Sequence, residues 1–322
     1  MSFTASDNQI AEIPDLSSCQ MLQTFNISNN SVSDLSSIAG CSKLERLCFN
    51  DNNIYDLECL SGLLYLTELR GSGNRIGSLK GLENATQLKV VTLDGNQLTD
   101  FSVLKTASAN INVLFIDDNQ LTDLSTVSDF PAIKGLSFGS NRISDLSPLE
   151  NLPGLIYLCA ADNEISDVTP IAKCGSLEFL DLSDNEISDI SPLVNVGASS
   201  IALLLHNNKI TDLLPLDTGK KYKYLTVYGN SIPDLSRIAE LKNIDITADL
   251  YASWHEDADM TVLVDSGFWD IFLVDVPLDK RVEIEKAFSA RYKSKPTFLT
   301  AEEADAQIAE KRVELMDSVD IY

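Results

Sequence analysis

A histidine beside acidic residues is the strongest candidate for catalysis in this sequence of 322 residues. Trp254-His255-Glu256-Asp257 places an imidazole next to two carboxylates, with Asp259, Asp265 and Asp270 nearby. An imidazole held by an acid can act as a general base. The sequence has no HExxH, no GxSxG, no glycine-rich phosphate loop and no plausible Cys/His pair. We therefore expect a solvated acidic loop and no catalytic residue.

A column of aspartates is a second set of candidate ligands. Asp stands four residues after a recurring Asn in nine of eleven cases, as in Asp34, Asp145 and Asp189. Stacked carboxylates can in principle bind calcium. The motif D-[LI]-S-P-[LI] favours another role, because an Asp just before a short helical turn accepts hydrogen bonds from unpaired backbone N–H groups. We predict that these residues are caps, and we assign no metal and no cofactor.

The six cysteines show no metal-binding or disulfide pattern. Cys19, Cys41 and Cys174 occupy a position that Leu, Ala or Phe fills in other repeats, so we expect them in the core. Cys19 and Cys41 belong to neighbouring repeats, and a disulfide between them is sterically conceivable. No CxxC occurs and the chain has only two histidines, which disfavours zinc. Unpaired thiols favour a reducing compartment.

The recurring Asn defines an internal repeat. Eleven Asn residues follow one another at intervals of 22 or 23 residues, and an aliphatic residue stands two positions after each: Asn8, Asn30, Asn52, Asn74, Asn96, Asn119, Asn141, Asn163, Asn185, Asn208 and Asn230. The pattern L-x-x-L-x-L-x-x-N-x-[IL], complete in residues 176–193, resembles the leucine-rich repeat. The spacing is similar to that of the 22-residue class found in bacterial internalins and in the phosphatase-1 regulatory subunit.

The resemblance implies an α/β fold, a right-handed leucine-rich-repeat solenoid over residues 1–250. The L-x-L alternation predicts one short strand per repeat, so the strands form a parallel sheet on the concave side. Short D-[LI]-S-x-[LI] segments predict 3₁₀ turns on the convex side. Each repeat Asn is expected to bond the backbone of its own and an adjacent repeat.

Residues 251–322 do not follow the repeat and predict a small α+β cap. Residues 260–277 are typical of a hairpin around Asp265-Ser266-Gly267, and residues 278–292 are compatible with a helix. Thr300 and Glu303 form a capping box that opens a helix reaching about Met316. The last strand, 241–249, places Asp249 in the position of the repeat Asn.

Two repeats depart from the pattern. Gly71 stands where an inward aliphatic residue belongs, so we expect a thinly packed layer there. Asn8 has no strand before it, so we expect either a truncated first repeat or an absent N-terminal cap.

Candidate contact residues point outward from the strands, two, four and six positions before each Asn. Their aromatic content rises toward the C-terminal half, which predicts a protein-binding patch. The partner-binding candidates are Phe115, Tyr157, Phe179, Leu204, His206, Tyr224 and Tyr228. In the alternative interpretation, the C-terminal segment folds back and covers some of them. Asp94, Asp117 and Asp181 on the same surface favour a partner with basic groups.

Charge and hydropathy limit the classes of function. A net charge of −24 disfavours nucleic-acid binding, and no apolar stretch is long enough to cross a bilayer. We predict a non-enzymatic protein-recognition module, with a purely structural spacer, or an effector whose C-terminal segment carries an activity, as alternatives. The compartment stays open, because the internalin resemblance implies a bacterial surface protein and the phosphatase-regulator resemblance a cytoplasmic scaffold. Thiols and the lack of a signal peptide favour the cytoplasm, and the oligomeric state is not determined.

Overall fold

The computed structural model describes residues 1–216, 220–241, 244–255, 259–290 and 295–321. The chain divides into two compact units. The N-terminal unit comprises Met1–Gly154 with Ile321–Tyr322, and the C-terminal unit comprises Leu155–Asp320. The boundary at residue 250 between repeats and cap stays a prediction.

The N-terminal unit contains seven strands of three residues each, and every consecutive pair is parallel. They are β1 (Ser2–Thr4), β2 (Thr24–Asn26), β3 (Arg46–Cys48), β4 (Glu68–Arg70), β5 (Val90–Thr92), β6 (Val113–Phe115) and β7 (Gly135–Ser137). Its 3₁₀ turns are Ser36–Ile38, Glu58–Gly62, Ser102–Ala107, Ser125–Asp129 and Ser147–Leu149. The strand β1 corrects the expectation that Asn8 has none before it.

The C-terminal unit continues the same alternation and adds three α-helices. Its strands are β8 (Tyr157–Cys159), β9 (Phe179–Asp181), β10 (Ser200–Leu204), β11 (Lys221–Thr226), β12 (Ile244–Ser253), β13 (Asp270–Val274) and β14 (Thr297–Leu299). Its 3₁₀ turns are Thr169–Lys173, Ser191–Asn195, Leu214–Leu216 and Met260–Asp265, and its helices are α1 (Ser236–Glu240), α2 (Leu278–Ala290) and α3 (Ala301–Asp317). This architecture is the predicted leucine-rich-repeat solenoid, with parallel strands and 3₁₀ turns.

The repeat asparagines bond the backbone as the sequence predicts. Asn52 Nδ2 donates to the carbonyl oxygens of Ile27, Phe49 and Asn50 at 3.0, 3.1 and 3.0 Å. Its Oδ1 accepts from Val32 N at 2.9 Å. Two of these partners, Ile27 and Val32, belong to the preceding repeat. One buried side chain therefore provides hydrogen bonds to backbone groups of the turns that no strand or helix partner bonds.

The residue before each repeat Asn adopts a left-handed backbone conformation. Asp51 and Asp184 have φ angles of 53° and 54°, and Gly73 has 67°. Across the repeats this position holds only Asp, Asn, Ser or Gly, residue types that tolerate positive φ or suit turns. The pattern was present in the sequence, and it explains why each strand turns sharply at the repeat Asn.

The repeat aspartates accept hydrogen bonds from the backbone at the start of the 3₁₀ turns, as the sequence predicts, although Leu or Ile stands at the N-cap position itself. Asp34, Asp145 and Asp189 each accept a hydrogen bond from the backbone N–H two residues later, at 2.7 to 2.8 Å. The pKa values of Asp34 and Asp189 are lowered, mainly by these backbone hydrogen bonds. These three carboxylates serve as hydrogen-bond acceptors for the turns that follow them.

The layer at Gly71 is well filled, which corrects the expectation of thin packing. The ring of Phe49 from the preceding repeat occupies the space, and a Cβ built on Gly71 would lie 2.5 Å from its Cε2 and Cζ atoms. Both residues are buried. A large side chain in one repeat thus compensates for the missing side chain in the next.

The C-terminal segment differs from the prediction in two ways. No hairpin forms in residues 260–277, because Met260–Asp265 is a 3₁₀ helix capped by Asp259 and β13 pairs parallel to β12. The register also pairs Leu250 with Leu225, five residues before Asn230. His255, rather than Asp249, therefore takes the position of the repeat Asn. At α3, Thr300 and Glu303 form the predicted capping box.

The cysteines lie mostly in or near the core. Cys41 and Cys174 are fully buried, as predicted, and Cys19 is only partly buried. Cys19 and Cys41 are separate thiols. Burial raises the pKa of Cys174 to about 11, so its thiol stays protonated at neutral pH.

Candidate functional site

All seven predicted contact residues are buried, which corrects the expectation that they are exposed. Phe115, Tyr157 and His206 are 7%, 5% and 2% exposed, and Phe179, Leu204, Tyr224 and Tyr228 are at most 1% exposed. Neighbouring side chains stack along the sheet, as Tyr157 and Phe179 do with ring centroids 4.6 Å apart. In the C-terminal unit, helix α3 also lies on this face.

Helix α3 holds the face of the C-terminal unit through an ion pair with β9. Arg312 Nε lies 2.6 Å from Asp181 Oδ2, and Arg312 Nη2 donates to Ser183 Oγ at 2.8 Å. Ser183 Oγ also lies 2.6 Å from Asp181 Oδ1. Asp181 and Ser183 have no exposed surface. The basic group that Asp181 was predicted to attract is thus supplied by the same chain.

Two further contacts connect α3 to this face. Tyr228 OH donates to Asp305 Oδ1, and Tyr251 OH lies 3.1 Å from Gln307 Oε1. Burial raises the pKa of Tyr251, so it is neutral at physiological pH. Together with Ala304, Ile308 and Leu315, which are buried, these residues define the docked side of α3. We call the sheet surface beneath α3 the covered face: Asp181, Ser183, His206, Thr226, Tyr228 and Tyr251.

His206 lies within the covered face and is buried among polar groups. Its Nδ1 is 2.8 Å from Thr226 Oγ1, and its Nε2 is 3.7 Å from Asp184 Oδ2. Its ring stacks on Tyr228 with centroids 4.7 Å apart. Burial lowers the pKa of His206, and Asp181 and Asp184 oppose that shift. The imidazole is a neutral packing group here, with Thr226 fixing its orientation.

The outward positions of β2 to β5 in the N-terminal unit are largely accessible. Arg46 is exposed, and it donates to Thr24 Oγ1 at 3.3 Å from both Nε and Nη2. Arg70 forms an ion pair with Glu68. The remaining members are partly exposed, and Thr92 at the end of β5 is buried. We call this surface the open face: Thr24, Asn26, Arg46, Cys48, Glu68, Arg70 and Val90. None of these residues is among the contact residues that the sequence predicts.

The acidic residues beside the open face accept hydrogen bonds from neighbouring repeats. Asp94 Oδ2 accepts from Ser72 Oγ at 3.0 Å, and its Oδ1 accepts from Asp117 N at 3.0 Å. Asp117 accepts in turn from Ser137 Oγ at 2.6 Å. Burial raises the pKa of Asp94 despite these bonds. These carboxylates therefore link consecutive repeats, and a role in attracting a basic partner stays a prediction.

Among the C-terminal candidates for chemistry, Asp259 has a defined hydrogen-bonding role. Glu256 and Asp257 lie outside the described residues. Asp259 Oδ1 accepts from Thr261 N at 2.9 Å and so caps the 3₁₀ helix. Within the described ranges, no group of three or more His, Cys, Asp or Glu side chains is arranged to hold a metal ion. Among the described helices, none is long and apolar enough to cross a membrane.

Comparisons with known proteins agree with this architecture. A family model described as Leucine Rich repeats (2 copies) matches residues 153–195. The fold is similar to that of the internalin InlF of Listeria monocytogenes, with a TM-score of 0.77 and 25% identity over 93% of this chain and 86% of that one. Internalin C2 of the same organism is 37% identical over 55% of this chain and 79% of its own, with a TM-score of 0.52. The chain belongs to the internalin-like leucine-rich-repeat proteins.

Other comparisons bear on the fold alone. A leucine-rich-repeat protein of Leptospira interrogans aligns with this internalin-like chain at a TM-score of 0.66 and 18% identity, over 91% of this chain and 82% of that one. No curated protein matched the sequence. Membership of the internalin-like proteins supports a protein–protein interaction module as the general class of function.

Proposed function

We propose that this internalin-like chain is a non-enzymatic recognition module that binds a protein partner on the open face. The single observation that carries the proposal is accessibility. Outward side chains of β2 to β5 reach solvent, whereas the predicted aromatic contacts in the C-terminal unit are buried. The hydrogen bonds of Arg46 to Thr24 and the ion pair of Arg70 with Glu68 restrain these two arginines, which reduces the entropy lost on binding.

The chemistry of the open face suits a polar contact with a central cation. Arg46 is exposed and already oriented by Thr24, while Arg70 is paired with Glu68. Arginine is enriched among residues that dominate binding energy. The chain as a whole carries a charge of −24, which accelerates association with basic partners. We therefore expect a partner that approaches through its positive surface and places an acceptor group against Arg46.

A matched pair of double variants tests this surface. Arg46→Glu with Arg70→Glu reverses the cations of the open face, and Lys80→Glu with Lys105→Glu makes the same charge change at exposed lysines outside the strands. A partner recovered by photo-crosslinking from position 46 should lose at least about tenfold in affinity for the first variant. The second variant should bind it normally. If the partner binds the two double variants equally well, the open face is not its binding surface.

The effector alternative has one feature in its favour. A cavity of about 200 Å³ is lined by Trp254, Asp259, Met260, Thr261, Lys280, Glu283 and Ile284, close to His255 in the chain. Asp259 is already used as a cap. A turnover found in a broad substrate screen and lost in His255→Ala would support this alternative over the recognition module. An inactive full-length chain would count against it.

A further inference from the structure

Cys19 and Cys41 occupy equivalent positions in two consecutive repeats of the N-terminal unit. Each stands eleven residues before a repeat Asn and five residues before the start of a strand, and the two strands, β2 and β3, are parallel neighbours. Each cysteine also closes the same kind of turn. Cys19 N donates to Leu16 O at 2.8 Å, and Cys41 N donates to Ile38 O at 2.9 Å. The two cysteines are therefore in register with one another.

The backbones of the two repeats are in contact beside the cysteines. A Cβ built on Gly40 would lie 3.0 Å from both the Cα and the O atom of Ser17, so the chain just before Cys41 touches the chain just before Cys19. Equivalent residues of neighbouring strands lie about 4.8 Å apart, and a disulfide joins residues whose Cα atoms are about 4.4 to 6.8 Å apart. The spacing of the repeats is within the range that a disulfide spans.

The thiol of Cys41 is directed toward the backbone of Cys19. Cys41 Sγ donates to Leu16 O at 3.5 Å, and the same oxygen accepts the bond from Cys19 N at 2.8 Å. Two atoms bonded to one oxygen can be no farther apart than the sum of these distances, so Cys41 Sγ lies within 3.5 + 2.8 = 6.3 Å of Cys19 N. Rotation about the two Cα–Cβ bonds then decides how closely the sulfur atoms approach.

The two thiols differ in their access to solvent. Cys41 has no exposed surface, whereas Cys19 is partly exposed. Burial raises the pKa of Cys41, and the neighbouring Cys19 raises it further. Because the thiolate is the reactive form of cysteine, a reagent in solution meets Cys19 first, and Cys41 can react only with what Cys19 carries.

We infer that Cys19 and Cys41 are a reversible redox pair, which a small disulfide such as oxidised glutathione converts into a covalent cross-link between consecutive repeats. Cys19 is the thiol that reacts with the oxidant, and Cys41 is the thiol that resolves the mixed disulfide. Neither cysteine belongs to the open face, so this inference and the proposed function can fail separately.

The exchange is balanced in two steps. The Cys19 thiolate attacks one sulfur of oxidised glutathione, forms a mixed disulfide and releases one glutathione thiolate, which takes up a proton. The Cys41 thiol then loses its proton to solvent and attacks Cys19 Sγ, so the mixed disulfide breaks and the second glutathione leaves as a thiol. Two protein thiols are oxidised to one disulfide, and one glutathione disulfide is reduced to two thiols.

The cross-link would restrict the opening of one repeat. It closes a loop over residues 19–41, which contains β2 and the repeat Asn30. A disulfide removes more conformational freedom from an opened chain than from the native one. Oxidation should therefore suppress local opening of this repeat, which hydrogen exchange of its backbone amides measures.

The sequence provides a direct assay for the cross-link. The first Lys or Arg is Lys43, so trypsin releases residues 1–43 as one peptide whose only cysteines are Cys19 and Cys41. The folded full chain is incubated with mixtures of reduced and oxidised glutathione, alkylated with iodoacetamide and digested without reduction. Mass spectrometry of this peptide then distinguishes two alkylated thiols, a glutathione adduct, and an internal disulfide that is lighter by two hydrogen atoms and takes no label.

Three variants separate the roles of the thiols. The wild type should give the internal disulfide, which dithiothreitol reverses, and exchange of amides 20–40 should be at least about tenfold slower in the oxidised chain. Cys41→Ser should stop at a glutathione adduct on Cys19, whereas Cys19→Ser should leave Cys41 without an adduct. Cys59→Ser is the matched control, because it removes another partly buried thiol of the same unit, and it should behave as the wild type.

Other results would overturn the inference. It fails if both thiols of the peptide stay alkylated at every glutathione ratio, or if the disulfide forms only after urea has unfolded the chain. It also fails if Cys19→Ser accumulates the adduct on Cys41, or if oxidation leaves amide exchange unchanged. Cooperative thermal unfolding checks that each variant is folded. If Cys41→Ser unfolds the chain, because it places a hydroxyl in an apolar site, Cys41→Ala replaces it and should stop at the same adduct.

Discussion

At the residue scale, the buried asparagines should be far more important than their exposed counterpart. Asn52 makes four hydrogen bonds to buried backbone groups, and Ala at this position leaves them without a partner. We expect Asn52→Ala to lower the free energy of unfolding by about 3 kcal/mol.

Asn8 provides the matched control. It is exposed and donates to the carbonyl oxygens of Ala5 and Ser6 only among the described groups. Asn8→Ala should cost under about 1 kcal/mol, because water can replace its bonds. Urea unfolding followed by circular dichroism measures both changes. Similar losses for the two variants would contradict a structural role for the buried ladder.

His206 should make the stability of the C-terminal unit depend on pH. Burial lowers the pKa of His206, so the unfolded chain binds its proton more readily than the folded chain. Its contribution is present above the ordinary histidine pKa of 6.5 and is lost as pH falls below it. We expect unfolding free energy to fall more steeply on acidification in the wild type than in His206→Gln.

The comparison with His206→Gln isolates this group. The raised pKa of Asp249, about 6, acts in the opposite direction, since its contribution is lost as pH rises through that value. Asp249 is present in both proteins and cancels in the difference. Asp181, Asp184, Asp305 and Arg312 also face His206 and are likewise unchanged. Parallel pH profiles would exclude His206 as the titrating group.

Much of the residue pattern could be predicted from the sequence, but accessibility could not. Eleven asparagines at a fixed spacing determine which strand residues point into the core and which point out. Nothing in that spacing indicates that Arg312 lies against Ser183, 129 residues earlier. The aromatic residues were therefore correctly placed on one side of the sheet, and wrongly expected to meet solvent.

At the scale of a single element, Gly71 and Phe49 should behave as a coupled pair. A Cβ on Gly71 would lie 2.5 Å from the Phe49 ring, so Gly71→Ala should cost about 1–3 kcal/mol by overpacking. Phe49→Leu alone should also destabilise, because it leaves a cavity. The double variant should be more stable than the sum of the two losses predicts, which a double-mutant cycle measures. Simple additivity would argue against direct contact.

Elements outside the repeats were predicted unevenly. The capping box of Thr300 and Glu303 is a local signal with a specific geometry, so the start of α3 was readable. The 3₁₀ helix at residues 260–265 could not be predicted, since short apolar segments fit a strand or a helical turn equally well. The backbone N–H of Thr261 donates to Asp259 Oδ1, and this cap favours the helical turn over a strand.

At the scale of the whole molecule, self-repulsion should limit stability. The chain has 48 acidic against 24 basic residues. Added salt screens exposed like charges that lie farther apart than about 8 Å. We therefore expect the midpoint of thermal unfolding to rise with sodium chloride concentration, and scanning calorimetry can measure it. A midpoint that falls as salt is added would mean that the few exposed ion pairs outweigh the net charge.

The direction of the asparagine bonds has an evolutionary consequence. Each side chain serves its own turn and the one before it, and the same set of bonds recurs from Asn52 to Asn74. After duplication or deletion of 22 residues, the Asn at the junction meets the same kinds of backbone donors and acceptors as before. The number of repeats can thus change during evolution by whole units of 22 residues. The length of the sheet then changes, while the hydrogen bonds of the turns are kept.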